Sequence, residues 1–276
     1  MSAPTLGIIA GNGRLPAQLV AACRATGRAC FVLAFEESAV HDTTLHAPHA
    51  VVRLGAVGEA LERLRAAGVR EVVLAGGIKR PSLASLRPDM AATRLLARLG
   101  KAFFGGDDAL LKALIAFLEE EEFTVISAQD ILQSLVAEDG VYGRITPTTQ
   151  HHADIAKGIT VAKQLGALDI GQAAIVENGA VLGVEAAEGT AALIARCASL
   201  RREPVRSGVL VKAKKPGQDE RADLPAIGVD TVEAIHAAGF SGIAVEAGGS
   251  LILERERTIA RANDLGVFLM GIRHDG

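Results

Sequence analysis

A chain of 276 residues can form two domains of ordinary size, and 49% hydrophobic residues let each half bury a core. The apolar residues are mainly aliphatic, with no Trp and one Tyr, so few side chains could stack on nucleic-acid bases. The formal net charge of -3 provides no general basic field for a polyanion. These features argue against a nucleic-acid-binding protein.

The cysteines and the N-terminus bear on the cellular compartment. Cys23, Cys30 and Cys197 are odd in number and lack CxxC spacing, which argues against a disulfide framework and against a zinc site. We expect them to be small buried side chains in a reducing cytosol. The first apolar run ends at Gly11 with no basic segment before it, and no apolar run reaches the ~18 residues of a membrane span. The sequence therefore predicts a cytoplasmic protein whose membrane contact is peripheral.

The first half of the chain alternates apolar strands with helices. Strands are predicted at residues 6–10, 30–35, 51–54, 71–75 and 123–127. Helices are predicted from Pro16 to Gly27 and at residues 59–67, 90–99 and 107–122. This βαβ order favours an α/β fold whose N-terminal domain is Rossmann-like, with a parallel sheet and helices on its faces.

The segment at residues 140–147 breaks this pattern, and we place the domain boundary there. The predicted domains are residues 1–143 and residues 144–276. The second domain is also predicted to be α/β, and Asn178-Gly179 is a strong signal for the turn of a β-hairpin.

Three glycine-containing segments are candidates for phosphate binding. Gly11-Asn12-Gly13-Arg14 lies between a strand and a helix, where backbone N–H groups and the helix dipole favour an anion. Gly76-Gly77-Ile78-Lys79-Arg80 follows the fourth strand, whose carboxyl end faces the same crevice in a parallel sheet. Gly105-Gly106-Asp107-Asp108 opens a helix, where an N-cap and a first-turn acid explain both carboxylates without any further function.

The first glycine segment leaves a nicotinamide-dependent oxidoreductase open as an alternative. Glu36 follows the second strand, where a ribose-binding acid could lie. Pro16 counts against this alternative, because it occupies the position of the third glycine of the dinucleotide fingerprint.

The charged loop at residues 212–225, with the sequence KAKKPGQDERADLP, is the most informative segment. Its bases suit phosphates, and its carboxylates suit a hard divalent cation such as Mg²⁺. Asp223 precedes Leu224-Pro225, and the proline disfavours helix just before it, which predicts an extended setting for Asp223. His151 and His152 are adjacent and so point to different faces of a helix, which makes them a poor metal pair. The chain has no GxSxG, HExxH or GxxxxGK[ST] motif, so acyl-transfer, zinc-peptidase and P-loop functions lack support.

Six segments, in their order along the chain, resemble the LpxI-type UDP-2,3-diacylglucosamine pyrophosphatases of lipid A synthesis. They are IAGNGRLP at residues 9–16, GDDALL at 106–111, LDIGQ at 168–172, VEAAEGT at 184–190, RADLPAIG at 221–228 and EAG at 246–248. The resemblance implies a metal-dependent hydrolase that converts UDP-2,3-diacylglucosamine to UMP and the diacylglucosamine 1-phosphate called lipid X. It further implies two domains with a lipid-binding cleft between them, peripheral contact with the inner membrane and no nucleic-acid partner; a homodimer is left open.

The same resemblance implies roles for individual residues. Asp223 matches the essential aspartate, and Asp223 with Asp219 would bind the metal, with Mg²⁺ expected first and Mn²⁺ second. Lys212 and Lys215 are expected to hold the phosphates during catalysis. Further substrate contacts are expected at Gly11, Asn12, Gly13, Leu15, Gly77, Lys79, Arg80, Asp107, Asp108, Gln172, Gln218 and Gly248. The chain departs from the family pattern at Gly77 and Asp219, where Asn and Glu are expected, so a side-chain contact at the first is lost and the second has a shorter reach.

A non-catalytic lipid or nucleotide-sugar carrier is the second alternative. The apolar stretch with Leu95, Leu99 and Phe103-Phe104 could line a pocket for acyl chains, although the same spacing is also typical of an ordinary core.

Overall fold

The computed structural model describes residues 3–36, 38, 46–78, 86–100, 107–219, 221 and 224–273. The chain forms two compact units. The first contains Met1–Gln133 together with Asp219–Asp223, and the second contains Ser134–Gln218 and Leu224–Gly276.

The first unit is built on a five-stranded parallel sheet in the order β3-β2-β1-β4-β5. The strands are β1 (Thr5–Ala10), β2 (Cys30–Phe35), β3 (His49–Val52), β4 (Val69–Ala75) and β5 (Thr124–Val125). The helices are α1 (Leu15–Thr26), α2 (Val57–Ala66), α3 (Met90–Leu99), α4 (Asp107–Glu120) and the single turn α5 (Ala128–Ile131). This is the strand order of a Rossmann-like half, and the predicted parallel βαβ architecture is confirmed.

Local sequence explains how these helices begin and end. In α1, Pro16 lies in the first turn and Gly27 closes the helix in the left-handed conformation with φ 69°. In α3, the carboxylate of Asp89 accepts hydrogen bonds from the backbone N–H of Ala92 at 2.7 Å and from that of Gly58 at 2.7 Å. One acid therefore caps α3 and ties it to the start of α2.

The second unit is built on a six-stranded mixed sheet in the order β6-β13-β11-β9-β7-β8, in which β9, β11 and β13 are parallel. Its strands are β6 (Gly140–Tyr142), β7 (Ala173–Glu177), β8 (Ala180–Val184), β9 (Val209–Lys212), β11 (Gly242–Glu246) and β13 (Phe268–Ile272). A separate parallel pair is formed by β10 (Ala226–Ile227) and β12 (Leu251–Ile252). The helices are α6 (Thr149–Ala167), α7 (Gly189–Ala198), α8 (Val229–Ala237) and α9 (Arg255–Leu265).

Strand β6 belongs to the second unit, whereas its residues were expected in the first domain. The sequence interpretation placed the domain boundary where the segment at residues 140–147 breaks the βαβ pattern, which left residues 140–143 in the first domain. Gly140 and Gly143 have positive φ, 120° and 83°, and they frame a short edge strand that pairs antiparallel with β13. The hydroxyl of Tyr142 donates a 2.9 Å hydrogen bond to the backbone carbonyl of Glu138, which holds this strand to the segment before it.

The β-hairpin of β7 and β8 is confirmed. Its two turn residues, Asn178 and Gly179, have φ values of 49° and 77°, as a type I′ turn requires. Asp154 of α6 is buried beneath this turn, and its carboxylate accepts hydrogen bonds from the backbone N–H groups of both residues, at 2.9 and 2.6 Å. A helix carboxylate therefore satisfies the two donors that the turn leaves unpaired.

The three cysteines are free thiols; Cys23 and Cys197 are fully buried, as expected, whereas Cys30 is partly exposed. The thiols of Cys23 and Cys30 form a hydrogen bond. This hydrogen bond and the charges of Arg24 and Arg28 lower the pKa of Cys30 to about 7, against the opposing effect of burial. No helix in the described ranges is both long and apolar enough to cross a membrane.

Candidate functional site

The first unit contains an apolar cavity of about 350 Å³. Strands β1, β2 and β4 form one wall, helices α2, α3 and α4 form the others, and almost every lining side chain is aliphatic or aromatic. The lining includes Ile9, Leu33, Phe35, Leu61, Leu64, Leu74, Leu95, Leu96, Leu99, Leu111, Leu114, Phe117 and Leu118. The predicted apolar stretch with Leu95 and Leu99 therefore lines a cavity, while Phe103 and Phe104 lie outside the described residues.

The sheet wall of the cavity follows from strand register. Ile9 pairs with Leu33 on one side and with Leu74 on the other, so their side chains form one row on one face of the sheet. Two residues further along, the same face carries Phe35 on β2 and glycines after β1 and β4. The row nearest the carboxyl end therefore has one large side chain where it could have had three, which leaves space at that end.

The two glycine segments after β1 and β4 lie side by side, as predicted. The backbone N–H of Asn12 donates to the carbonyl of Gly77 at 2.8 Å, and that of Gly11 donates to Ala75 at 2.8 Å. A Cβ on Gly11 would stand 2.6 Å from the carbonyl oxygen of Gly76, so this approach requires glycine. A Cβ on Gly77 or on Gly13 would meet no atom of the described residues within 4 Å, so both positions border space where a ligand can approach the backbone.

The other predicted site residues of the first unit are either buried or outside the described part of the structure. Leu15 is buried in the core at the start of α1. Helix α4 begins at Asp107, and the side chains of Asp107 and Asp108 lie outside the described part of the structure. Lys79 and Arg80 also lie outside it, as does Asp223.

In the second unit, polar side chains lie at the carboxyl ends of β9 and β11, in two hydrogen-bond networks on opposite faces of the sheet; we call them together the strand-end cluster. Its members are Lys163, Gln172, Glu185, Thr190, Lys212, Lys214 and Glu246. Lys212 is only 5% exposed, and its ammonium donates to the hydroxyl of Thr190 at 3.0 Å and to the backbone carbonyl of Ala226 at 3.3 Å. The Thr190 hydroxyl in turn donates to Glu185 at 2.5 Å. The predicted phosphate-binding lysine is thus held in place at the end of a buried strand.

The other half of the strand-end cluster fixes the start of the charged loop. Lys163 of α6 donates to both carboxylate oxygens of Glu246, at 2.6 and 2.7 Å, and the same carboxylate accepts the backbone N–H of Lys214 at 2.8 Å. The Lys163 ammonium also donates to the carbonyl of Lys214 at 3.2 Å. Both polar groups of the Lys214 backbone are therefore bound by one ion pair.

Further along the loop, Lys215 forms an ion pair with Asp169 at 2.5 Å. Its backbone N–H donates to the side chain of Gln218 at 3.1 Å, and the N–H of Gln218 donates back to the Lys215 carbonyl at 3.2 Å, which closes a turn. The backbone carbonyl of Gln172 accepts from the N–H of Ala213 at 3.0 Å, while its buried side-chain oxygen has no hydrogen-bond partner among the described residues. Gln172 and Lys215 therefore both flank the start of this loop, and their predicted contacts with substrate stay predictions.

Gly248 lies in the turn after β11. It has a positive φ of 71°, and its N–H donates to the carbonyl of Ala137 at 2.8 Å. The positive φ and this hydrogen bond give Gly248 a structural role through its backbone. Its predicted contact with substrate stays a prediction.

Asp219, a predicted metal ligand, is bound by Arg221 within the first unit. Hydrogen bonds from Arg221 hold the pKa of the Asp219 carboxyl below its usual range, and the charge of Lys112 acts in the same direction. Arg221 also forms an ion pair with Glu119 of α4. Across the described ranges, no group of three His, Cys, Asp or Glu side chains is arranged to hold a metal ion. The donor chemistry still fits a hard cation, because Mg²⁺ usually takes one or two protein carboxylates and fills its other positions with water and substrate oxygens.

The fold and these sites define a two-unit α/β protein with a Rossmann-like first unit, an apolar cavity and a polar strand-end cluster. Residues 5–135 match the family model described as the LpxI N-terminal domain, and residues 138–270 match the LpxI C-terminal domain. A relative from Caulobacter vibrioides, UDP-2,3-diacylglucosamine pyrophosphatase LpxI, is 42% identical over 273 residues, which cover 97% of this chain and 97% of that protein. The chain belongs to the LpxI family.

Sequence reasoning missed Lys163 and the role of Glu246. The strand register could have indicated the position of Glu246. Lys212 pairs with Val245, so Glu246, the next residue, must lie beside the end of β9. No local pattern marks Lys163, which is 83 residues from Glu246 in the chain.

Proposed function

We propose that this chain hydrolyses the pyrophosphate bond of UDP-2,3-diacylglucosamine, yielding UMP and lipid X for lipid A synthesis. The observation that carries the proposal is the 42% identity to a pyrophosphatase with this substrate in its name, over 97% of both chains. An alignment of that extent covers both units and therefore the apolar cavity, the strand-end cluster and the charged loop.

The apolar cavity supports a lipid substrate. A cavity of about 350 Å³ is within the size range of small-molecule sites, and its nearly all-apolar lining would suit an acyl chain and repel a sugar or nucleotide. Removing methylene groups from water at this lining would supply binding free energy in proportion to the area buried. The first unit would thus bind the lipid part of the substrate.

The strand-end cluster supports recognition of the phosphates. Lys212 is held at a buried strand end by Thr190 and a backbone carbonyl, so its positive charge has a fixed position before an anion binds. Lys215, three residues further along, adds a second cation at the start of the same loop. We assign these two lysines to the pyrophosphate and the developing negative charge on it.

Asp223 and Asp219 are the residues we propose to hold a divalent cation, with Mg²⁺ ahead of Mn²⁺. When bound, the cation supplies charge neutralisation at the pyrophosphate and a water of lowered pKa. Asp219 must exchange its bonds to Arg221 for such a role, and Asp223 would then orient the attacking water. Gly11 and Asn12 already donate their backbone N–H groups to Ala75 and Gly77, so they would shape the turn that faces the substrate. Gly13 and Gly77, which border open space, would let the substrate approach the backbone.

We further propose that the enzyme acts in the cytoplasm at the surface of the inner membrane. A substrate with two acyl chains resides in a bilayer, so peripheral contact with the membrane surface would bring the enzyme to it.

The test is release of UMP from UDP-2,3-diacylglucosamine by the purified protein, with and without EDTA and with Mg²⁺ or Mn²⁺ restored. We expect UMP and lipid X in equal amounts, loss of activity with EDTA and recovery with metal. Full activity after thorough metal removal would disprove the role of the metal but not the hydrolysis itself. Substrate returned intact under every metal would favour a carrier, and micromolar binding of NADH or NADPH by fluorescence titration would favour the oxidoreductase.

A further inference from the structure

The apolar cavity has a direction that follows from the topology. Each helix that precedes a parallel strand runs back from the carboxyl end of the sheet to its amino end. Helix α2, before β4, therefore starts near the carboxyl end at Val57 and finishes deeper at Leu64. Helix α4, before β5, likewise starts at the carboxyl end, and Phe117 and Leu118 lie in its last turns.

Exposure along the lining follows the same direction. Ile78, after the carboxyl end of β4, is 40% exposed, and Gly77 beside it is also exposed. Leu64 is 1% exposed, and Phe117 and Leu118 are each 4% exposed. The cavity is therefore accessible near the glycine segments and closed at the opposite end.

The closed end is backed by solid core. Leu64 lies beside the amino half of the sheet, where its methyl group would stand 3.1 Å from a Cβ on Gly7. Val72, Phe123 and Val125 belong to the same hydrophobic cluster as Leu64 but do not line the cavity. Side chains from two helices thus form a floor with packed residues behind it. We define the floor as Leu64, Phe117 and Leu118.

We propose that this floor sets the maximum acyl-chain length of the substrate that the enzyme accepts efficiently. The proposal rests on the proposed function, since it assigns one of the substrate's acyl chains to the apolar cavity. A chain entering past Gly77 would run along α2 and α4 until its terminal methyl meets the floor. Each additional methylene would then find no space, because protein cores do not yield without cost.

Ala60 provides a substitution that shortens the cavity without opening the core. It lines the cavity on α2, one turn before Leu64, so Ala60→Leu places three extra carbons into existing space. We expect this variant to fold at least as well as wild type. Ala66→Leu is the matched control, because it makes the same change at an exposed position of the same helix.

The experiment measures kcat/KM for a series of UDP-2,3-diacylglucosamines of increasing acyl length. We expect Ala60→Leu to move the optimum to shorter chains and to lose about fourfold for each methylene that no longer finds a place. Leu64→Ala, which deepens the floor, should move the optimum to longer chains. Ala66→Leu should reproduce the wild-type profile.

A second series makes the outcome independent of hydrolysis. Thermal stabilisation of the same variants by fatty acids of increasing length reports occupancy of the cavity directly. If wild type hydrolyses no member of the substrate series, the proposed function fails and the fatty-acid series still decides the role of the floor. A folded Ala60→Leu protein with the wild-type chain-length profile in both series would overturn the inference.

Discussion

Arg221 holds the carboxylate of Asp219 through three donors: its backbone N–H at 3.0 Å, its Nε at 2.9 Å and a terminal guanidinium nitrogen at 2.7 Å. A carboxylate proposed to bind a metal is thus already paired with a cation. Metal binding at Asp219 must compete with this pair, since one carboxylate has few lone pairs to share.

Removing the competitor should strengthen metal binding. We expect Arg221→Gln to lower the concentration of Mg²⁺ needed for half-maximal UMP release several-fold, because the guanidinium no longer neutralises Asp219. Glu119→Gln is the control: it removes the other partner of Arg221 and leaves the bonds to Asp219 in place, so its metal dependence should match wild type. If Arg221→Gln needs the same or a higher Mg²⁺ concentration for half-maximal UMP release, Arg221 does not compete with a metal for Asp219.

The ion pair of Lys163 and Glu246 should be a major stabilising contact of the second unit. The two side chains are only 17% and 9% exposed, so Glu246→Gln leaves a largely buried ammonium without its counter-charge. We expect a loss of roughly 3 kcal/mol in the free energy of unfolding, measured by urea denaturation. The double variant Lys163→Met, Glu246→Gln should recover part of this loss, because no charge is then left unpaired. A cost below about 1 kcal/mol for the single change would contradict this assignment.

Asp154, buried between α6 and the hairpin turn, should be a major stabilising contact of the β-hairpin. Asp154→Ala removes the acceptor for the two N–H groups of Asn178 and Gly179, and we expect a loss of about 2 to 4 kcal/mol in unfolding free energy. Lys157→Met is the comparison, since it removes an exposed hydrogen bond to the carbonyl of the same Gly179. It should cost about 1 kcal/mol or less. Equal losses in the two variants would mean that the buried carboxylate has no special role.

His151 should give the protein a measurable sensitivity to mild acid. Burial lowers the pKa of its ring, the neighbouring His152 acts in the same direction and Asp154 opposes them. The neutral Nδ1 accepts the backbone N–H of Thr148 at 3.1 Å, which completes the cap of α6. Because the folded pKa lies below the unfolded value of about 6.5, the unfolded chain takes up the proton first, and stability falls as the pH drops through that value.

The measurement is urea unfolding of wild type and His151→Gln at several pH values between about 8 and 5. We expect the stability of wild type to fall more steeply than that of the variant below pH ~6.5. Parallel curves would show that the ring has the same proton affinity in both states.

Much of the fold was predictable because its elements have strong local signals. Strand β2 (Cys30–Phe35) has the predicted bounds, since it is an apolar run between turn residues. Helix α6 starts at Thr149, where Thr148 and His151 form a reciprocal cap that uses a histidine ring in place of the usual Glu or Gln, a variant that the usual sequence signature does not reveal.

The candidate site was predictable only where topology decides contacts. Gly11 and Gly77 were predicted at one edge of the sheet because parallel strands bring their carboxyl ends together. The pair of Asp219 with Arg221 was not predictable, since a charge-rich loop offers many equivalent pairings. Nor was the bond of Lys163 to Glu246, which depends on how a helix packs across the sheet and not on any local pattern.

The most direct measurement of the central claim compares wild type with Asp223→Ala in UMP release from UDP-2,3-diacylglucosamine at saturating Mg²⁺. The account predicts that wild type releases UMP and lipid X, and that the variant remains folded and binds substrate but turns over at least about a hundredfold more slowly. The loss should appear in kcat and leave KM nearly unchanged, because acyl burial and the two lysines remain. No UMP from wild type under any divalent metal would contradict the proposed function, and near wild-type turnover by a folded Asp223→Ala protein would place the wrong residue at the centre of the mechanism.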